Sequence, residues 1–389
     1  MKKNENTVFV LGGGRTGLTA VRDLVDSGLE RVMVGDVETS RAKELANELG
    51  SKRVGITKVN LTDHQSLVSA IKRSKVLINA TWYEYNTQVM KAAIEAKVHY
   101  LDMGGLFHVT RKQMELDSTA KKAGVTAVLG AGESPGITNI MCAASAEELD
   151  AVEEIRIRVG AREAADQKSD RLNFPFAVST VFDEYSKPPI MFLNGQFQEV
   201  ECLSGVEEIQ FAEPIGKQAC HYSIHSEIAT LPLSFKGVRT VDFKLGISEN
   251  IYRAIKPLVD AGMADTNPIE FGGQEVSPRD FAVAFLTSRA SNTEPSRHVA
   301  LKTEVTGTRK GKRIRQIREL VGGPSETLRV RNATALLTGI GASVAAQLIL
   351  AGDVVETGVM APECCMPTSK YLNELEKRKI RMTNSETEL

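Results

Sequence analysis

The sequence predicts an α/β chain in which an N-terminal, doubly wound parallel sheet is completed by C-terminal helices and interrupted by an α+β domain. Three observations predict it. Up to about residue 128, short apolar runs alternate with helix-period patterns, the signature of βαβ units. A Gly12-Gly13-Gly14-Arg15-Thr16-Gly17 turn follows the first apolar run. The length of 389 residues exceeds what one core ordinarily supports, so two domains are expected.

In chain order, the strands are expected at residues 8–11, 32–34, 56–59, 76–80, 100–103 and 126–129, the third being weakest because polar residues interrupt it. Residues 17–27, 40–49, 65–73, 87–96 and 111–122 carry apolar positions near helical spacing and read as the crossover helices. Gly28, Gly50 and Gly124 follow three of them, as glycine often does past a helix end. After Glu133-Ser134-Pro135-Gly136 the texture changes. A helix rich in small residues is expected at 137–149, then half-buried strands at 154–160 and 239–246, where apolar and polar residues alternate. The basic run Arg309-Lys310-Gly311-Lys312-Arg313 reads as a solvated hairpin tip. Residues 333–351 are apolar nearly all round and must be buried, with Gly352 placed to stop the helix and a charged amphipathic helix following at 369–378. The resulting division assigns 1–135 and 333–389 to a dinucleotide-binding domain and 136–332 to a substrate-binding and dimerisation domain.

Composition excludes several function classes. Hydrophobic residues at 42% and charged residues at 25% fit a globular core rather than a disordered tail. A formal net charge of −1 supplies no field toward nucleic acid or an anionic membrane, and neither is expected as a partner. The five cysteines are odd in number and lack any CxxC or metal-ligand spacing, so reduced thiols, a cytoplasmic setting and no metal are expected. Residues 1–7 carry no secretory apolar segment, and no apolar stretch long enough to span a bilayer is read from the sequence.

The GxGxxG turn is informative because it joins a strand to a helix, the context of a Rossmann dinucleotide site. Gly12 permits the tight turn, Gly14 lets the backbone approach a pyrophosphate and Gly17 lets helix and strand pack closely, with Arg15 and Thr16 opening the helix. Asp36 ends the second strand, where a carboxylate accepts from the ribose hydroxyls and repels a 2′-phosphate. NAD is therefore the expected cofactor, with NADP possible because Arg41 lies close in sequence. Asn79, Ala80 and Thr81 stand where the chain passes the nicotinamide ribose.

Ligands bind beyond the carboxyl ends of parallel strands, which directs attention to the loops at 82–86, 102–105 and 130–136. Trp82 reads equally as core cap or pocket wall. Asp102 is a candidate for orienting an amine or moving a proton, or a buried carboxylate satisfied by its glycine-rich turn. Glu133 is a candidate at the start of the helix from 137, or a solvated hinge residue. Further on, His221, Ser223, His225 and Glu227 alternate as if on one strand face, which makes His225 an acid/base candidate.

With these segments in view, the chain resembles the saccharopine dehydrogenase family, which includes saccharopine reductases and lysine 6-dehydrogenases. The resemblance rests on residues 8–17, on His99-Tyr100-Leu101-Asp102-Met103-Gly104-Gly105, on Glu133-Ser134-Pro135-Gly136-Ile137-Thr138-Asn139, and on residues 225–232 and 358–363. It implies a bilobal homodimer that moves hydride between nicotinamide and a carbon bearing nitrogen in an amino-acid substrate, saccharopine or a similar secondary amine. Side-chain deamination of lysine is the alternative within the family; a dinucleotide sensor without chemistry is the alternative outside it, and would show a poorly polar cleft. The segment Ser223-Ile224-His225-Ser226-Glu227 departs from the glycine- and threonine-rich stretch of the lysine-oxidising members.

Overall fold

The computed structural model describes residues 7–50, 52–163, 172, 174, 176–290 and 296–389. The first lobe runs β1 (Thr7–Leu11), α1 (Arg15–Asp26), β2 (Arg31–Asp36), α2 (Ser40–Glu48), β3 (Val54–Lys58), α3 (His64–Ile71), β4 (Val76–Asn79), α4 (Asn86–Ala96), β5 (His99–Asp102), α5 (Phe107–Met114), α6 (Asp117–Ala123) and β6 (Thr126–Val128). The second lobe contains α7 (Ile137–Ala146), β7 (Ala151–Glu163), α8 (Val178–Ser186), β8 (Ile190–Leu193), β9 (Gln196–Glu199), β10 (Glu207–Gln210), β11 (Lys217–Tyr222), α9 (Glu227–Ser234), β12 (Thr240–Gly246) and α10 (Glu249–Asp260). It continues through β13 (Ile269–Phe271), β14 (Gln274–Val276), α11 (Pro278–Arg289), β15 (Arg297–Arg309) and β16 (Lys312–Gly322). The chain ends with α12 (Ala333–Ala351), β17 (Gly358–Met360), α13 (Pro362–Cys365), α14 (Thr368–Lys377) and β18 (Met382–Glu388).

The parallel sheet has the order β17-β6-β5-β4-β1-β2-β3, so the chain reverses direction across the sheet between β1 and β4. That switch point leaves a crevice beyond the strand ends, where a Rossmann sheet takes its ligand. Val8, Val10, Val32, Val34 and Ile78 pack on one face with α1 and α12; Phe9, Leu11, Leu77 and Tyr100 pack on the other with α3 and α4. The C-terminal return contributes a strand as well as helices, because β17 pairs parallel with β6.

The second sheet runs β10-β11-β12-β7-β15-β16-β18 and is antiparallel except where β12 lies parallel to β7. Its Ile155, Ile157, Val159, Leu301 and Val305 join the same core that covers one face of the parallel sheet, so the two lobes share apolar packing. Helix α7 lies at this junction. Arg318 of β16 reaches its carboxyl end, donating to Ser145 Oγ at 2.9 Å and the Ala144 carbonyl at 3.1 Å. A cation there meets unsatisfied helix carbonyls.

Four expectations need correction. The segment 111–122 is two helices, α5 and α6, separated at Leu116, whose ψ of 0° leaves the helical ladder. Residues 382–388 do not stay with the parallel-sheet domain: β18 pairs antiparallel with β16, and Glu386 and Glu388 meet Arg309 and Lys312 across the strands. An edge strand with a cationic row attracts a carboxylate-rich terminus. Helix α12 is long and apolar enough to cross a membrane, contrary to the reading of the sequence, yet 78% of its apolar window is buried inside the protein. Within that packing Ser343 donates to Asp23 at 2.6 Å. Finally, residues 221–227 are not one strand. His221 ends in β11, His225 lies in the following loop and Glu227 opens α9. The basic run does form a hairpin tip, where Lys310 and Gly311 turn β15 into β16.

Candidate active site

The dinucleotide half of the site begins where β1 turns into α1. Gly12 has φ +109°, and a Cβ there would stand 2.6 Å from the Ala80 carbonyl oxygen. At Gly17 a Cβ would lie 2.1 Å from the Gly12 carbonyl oxygen, so only glycine lets the helix approach the turn. Gly14 differs from both. No atom lies within 4 Å of where its Cβ would be, which means that the protein leaves this space to something else. Helix α1 starts at Arg15 with no side-chain cap and no acidic residue in its first turn, so its free N–H groups point into that space. The residues fit a bound pyrophosphate.

Asp36 at the end of β2 accepts from Gly13 N at 2.5 Å through one carboxylate oxygen and from Glu38 N at 2.9 Å through the other. It thereby fixes the glycine turn. Arg15 and Arg41 border a separate cavity of about 490 Å³ along α1 and α2, where Arg22 and Arg329 already pair with Glu48.

The second half is a cleft of about 330 Å³ between the lobes, lined from the first by Thr16, Ala80, Thr81, Trp82 and Met103 and from the second by Glu184, Ile224, His225 and Phe243. Glu133, Ser134 and Pro135 line it at the junction. Of the two roles open to Trp82, the structure gives it the pocket wall.

Two predicted site residues lie below the cleft rather than in it. Asn79 is 1% exposed; its amide oxygen accepts from Thr81 Oγ1 at 2.7 Å and its nitrogen donates to Asn86 at 2.9 Å. Asp102 is equally buried. One of its oxygens accepts from Gly104 N at 2.9 Å and Gly130 N at 2.8 Å, the other from Gln113 at 2.8 Å and the Tyr100 hydroxyl at 3.0 Å. Burial pushes its carboxyl upward, and these donors oppose that rise. With four donors engaged and no edge on the cleft, Asp102 ties together the loops after β5 and β6. The catalytic role expected for it is corrected to a positioning one, since a saturated carboxylate has no geometry left for a substrate proton.

His225 is brought to the cleft by the loop after β11. Its ring stacks on Phe243 with centroids 3.9 Å apart, and Nδ1 meets Glu227 Oε2 at 2.5 Å. Glu227 is completely buried, and its other oxygen accepts from Ser134 Oγ at 2.5 Å and Thr138 Oγ1 at 3.1 Å. Burial disfavours the imidazolium, but the charge and hydrogen bond of Glu227 outweigh it and raise the His225 pKa. For Glu227, burial acts upward and His225 pulls the value below the usual carboxylate range. The stacked ring and the paired Nδ1 orient Nε2, the arrangement of a proton acceptor with its positioning partner.

Glu133 is buried rather than solvated, as a hinge residue would be. Its Oε2 has no hydrogen-bond partner among the described residues, and burial pushes its pKa up to about 8 against the opposing charge of Arg297. Glu184 was not anticipated. It is 7% exposed on α8, and burial likewise pushes it up to about 8, opposed by His225 and Arg297. The one available signal was Phe182-Asp183-Glu184-Tyr185, two acids inside an apolar helical run. Neighbouring Asp183 is engaged by the Tyr83 hydroxyl and by Arg279 at 2.9 Å. No group of His, Cys, Asp and Glu residues among those described could hold a metal ion.

A switch-point crevice with an open glycine turn, continuous with a polar cleft that holds an oriented histidine, defines an NAD(P)-dependent oxidoreductase. Residues 8–128 match the model of the saccharopine dehydrogenase NADP-binding domain, and residues 132–380 match that of the saccharopine dehydrogenase C-terminal domain. The chain belongs to the saccharopine dehydrogenase family, whose chemistry acts on CH–NH groups. It is 25% identical over 338 residues to carboxynorspermidine synthase of Vibrio cholerae, an alignment that spans 82% of this chain and 80% of that protein. It is 23% identical over 302 residues to carboxyaminopropylagmatine dehydrogenase of a Synechocystis strain, covering 74% of each. The apo saccharopine dehydrogenase (L-Glu forming) of Saccharomyces cerevisiae superposes with a TM-score of 0.76 at 17% identity, covering 98% of this chain and 100% of that one, and so shares its fold.

Proposed function

We propose that the chain transfers hydride between a nicotinamide dinucleotide and the nitrogen-bearing carbon of a secondary-amine amino acid, saccharopine or a similar compound. The observation that carries the reading is the His225–Glu227 pair, held by stacking and burial in the cleft that continues from the dinucleotide turn. When bound, the oxidised dinucleotide accepts the hydride. His225 Nε2 takes the proton lost from the amine nitrogen as the carbon–nitrogen double bond forms, and Glu227 steadies the imidazolium that results. Water then adds across that bond, and cleavage releases an amine and a carbonyl compound. Run in reverse, His225 supplies the proton that the reduced product needs. Lining residues such as Ile224, Phe243 and Leu245 limit water around the reacting carbon.

The relatives that act on carboxynorspermidine and carboxyaminopropylagmatine, by their names, add two compounds to the substrates worth offering. Lysine, which the sequence kept as the alternative, remains in the panel. The sensor alternative expected a poorly polar cleft, and the presence of Glu133, Glu184 and His225 supports catalysis instead. The same reading takes the protein as a cytoplasmic homodimer, with light scattering behind size exclusion to find twice the chain mass of 42.4 kDa.

The test follows the absorbance of reduced nicotinamide with purified protein, offering NAD and NADP separately against saccharopine, lysine and the two carboxylated polyamines. Reduction with any secondary amine supports the reading. Oxidation of lysine alone moves it to side-chain deamination, and silence throughout with tight dinucleotide binding overturns it.

A further inference from the structure

We propose that Glu133 and Glu184 seat a cationic arm of the substrate, an ammonium or guanidinium on the aliphatic chain beyond the reacting nitrogen. The inference rests on reading the cleft as the site of amine chemistry.

The charges of the cleft carry the argument. Its described lining contains Glu133, Glu184 and His225 and no lysine or arginine. His225 is already committed to Glu227. Arg297 lies behind the wall and its charge reaches both carboxyls, but its described ion pair is with Glu163 at 3.7 Å, and it does not open on the cavity. A ligand rich in carboxylates, saccharopine with its three included, would thus bring carboxylates against carboxylates with no lining guanidinium or ammonium to offset them, so within the proposed class of secondary amines the lining favours a substrate with a cationic arm. A cation would find two.

Both acids are also short of partners. Glu133 Oε2 is buried and accepts no hydrogen bond among the described residues, although Thr334 donates to the same carboxyl group. The Glu184 carboxylate makes no hydrogen bond or ion pair among them, although the adjacent Asp183 is paired with Arg279 and Lys187. A buried carboxyl without a cationic partner costs folding free energy when ionised, and in an empty cleft it stays protonated instead. Entry of an ammonium reverses the balance, because opposite charges attract strongly in a water-poor cavity. Binding then expels protons.

The charged and titratable groups around the pair are Arg297 and Glu227 facing Glu133, and His225, Arg297 and Asp183 facing Glu184. Among them, Arg297 and His225 favour ionisation, whereas Glu227 and Asp183 oppose it.

The experiment is calorimetric titration of the full chain loaded with NADH, using agmatine and norspermidine as cationic probes and glutarate as an anionic one. The expected result is that a cation binds and glutarate does not. Glu133→Gln and Glu184→Gln, close to isosteric with the neutral acids, should each weaken the cation at least tenfold while NADH binds as before. Glu184→Asp should retain part of the affinity. The measured heat should change between buffers of different ionisation enthalpy, reporting proton release. Glutarate binding as tightly as the cations overturns the proposal, as do glutamine variants that bind cations like the wild type. Because binding is read without turnover, these outcomes are separate from failure of the oxidoreductase reading, which is silence of the amine panel in the absorbance assay.

Discussion

At Gly14 the protein leaves room that its own atoms do not use. A valine there meets no neighbouring protein atom at Cβ, so Gly14→Val should keep its melting temperature within about 2 °C while weakening NAD by at least ~100-fold, or ~3 kcal/mol. Equilibrium dialysis beside a thermal melt checks both, and normal binding would remove the dinucleotide assignment from this turn. Asp36→Ala should raise the affinity for NADP relative to NAD by about tenfold, since it removes a carboxylate from the 2′ position; the ratio of the two dissociation constants measures it. His225→Asn should lower kcat/KM by ~10²–10³ with NAD binding intact. On the proposed mechanism His225 accepts a proton in the oxidative direction and must be neutral, so with its raised pKa wild-type kcat/KM should climb with pH above the ordinary histidine range. That limb should vanish in the variant.

Among the elements, α12 shows how sequence pattern and packing meet. Its apolar circumference announced burial, and the helix fills the space between α1 and the parallel sheet. The sequence did not reveal how close α1 comes. A Cβ on Gly339 would stand 2.6 Å from Thr19 Cβ and 2.9 Å from Ala20 N, so backbone as well as side chain blocks it. Gly339→Val should cost at least ~2 kcal/mol by overpacking, read as a lowered urea midpoint. An unchanged midpoint would mean that the two helices can separate freely. By contrast, the sequence does not announce β18 as a strand and its range falls with the dinucleotide-binding domain, because a seven-residue polar strand carries no apolar face from which its partner could be inferred.

The molecule as a whole couples its two buried cleft carboxyls to stability. Glu133 and Glu184 each titrate near 8 in the folded protein, whereas an unfolded glutamate does so near ~4.3. The folded state therefore holds more protons between those values. The resulting stability is fully present below the unfolded pKa and is lost as pH rises through about 8. Urea unfolding of the apo protein should show a loss on the order of 2–4 kcal/mol per group from these carboxyls between about pH 5 and about pH 9. Glu133→Gln should flatten the slope. A wild-type stability that rises steadily across that interval, with no difference in the variant, would show that the burial penalty is relieved in solution.

Much of the cofactor half was legible because it is local. Gly12, Gly14, Gly17 and Asp36 lie within one βαβ unit, where spacing along the chain fixes spacing in space, and the alternation of apolar runs set the parallel sheet. The cleft was only partly legible. His225 and Glu133 could be singled out as polar residues in suggestive segments, but Glu184 comes to them from another helix and looks in sequence like one acid among many. Asp102 shows the converse: its glycine-rich surroundings fitted a catalytic loop and a satisfied carboxylate equally, and four donors from separate elements chose the second. The sequence by itself determined the parallel α/β lobe, the dinucleotide turn and the family, all of which rest on periodicity and contiguous motifs. Tertiary structure alone decided which carboxylates are saturated with hydrogen bonds and which are not, because burial and hydrogen-bond satisfaction depend on partners distant along the chain.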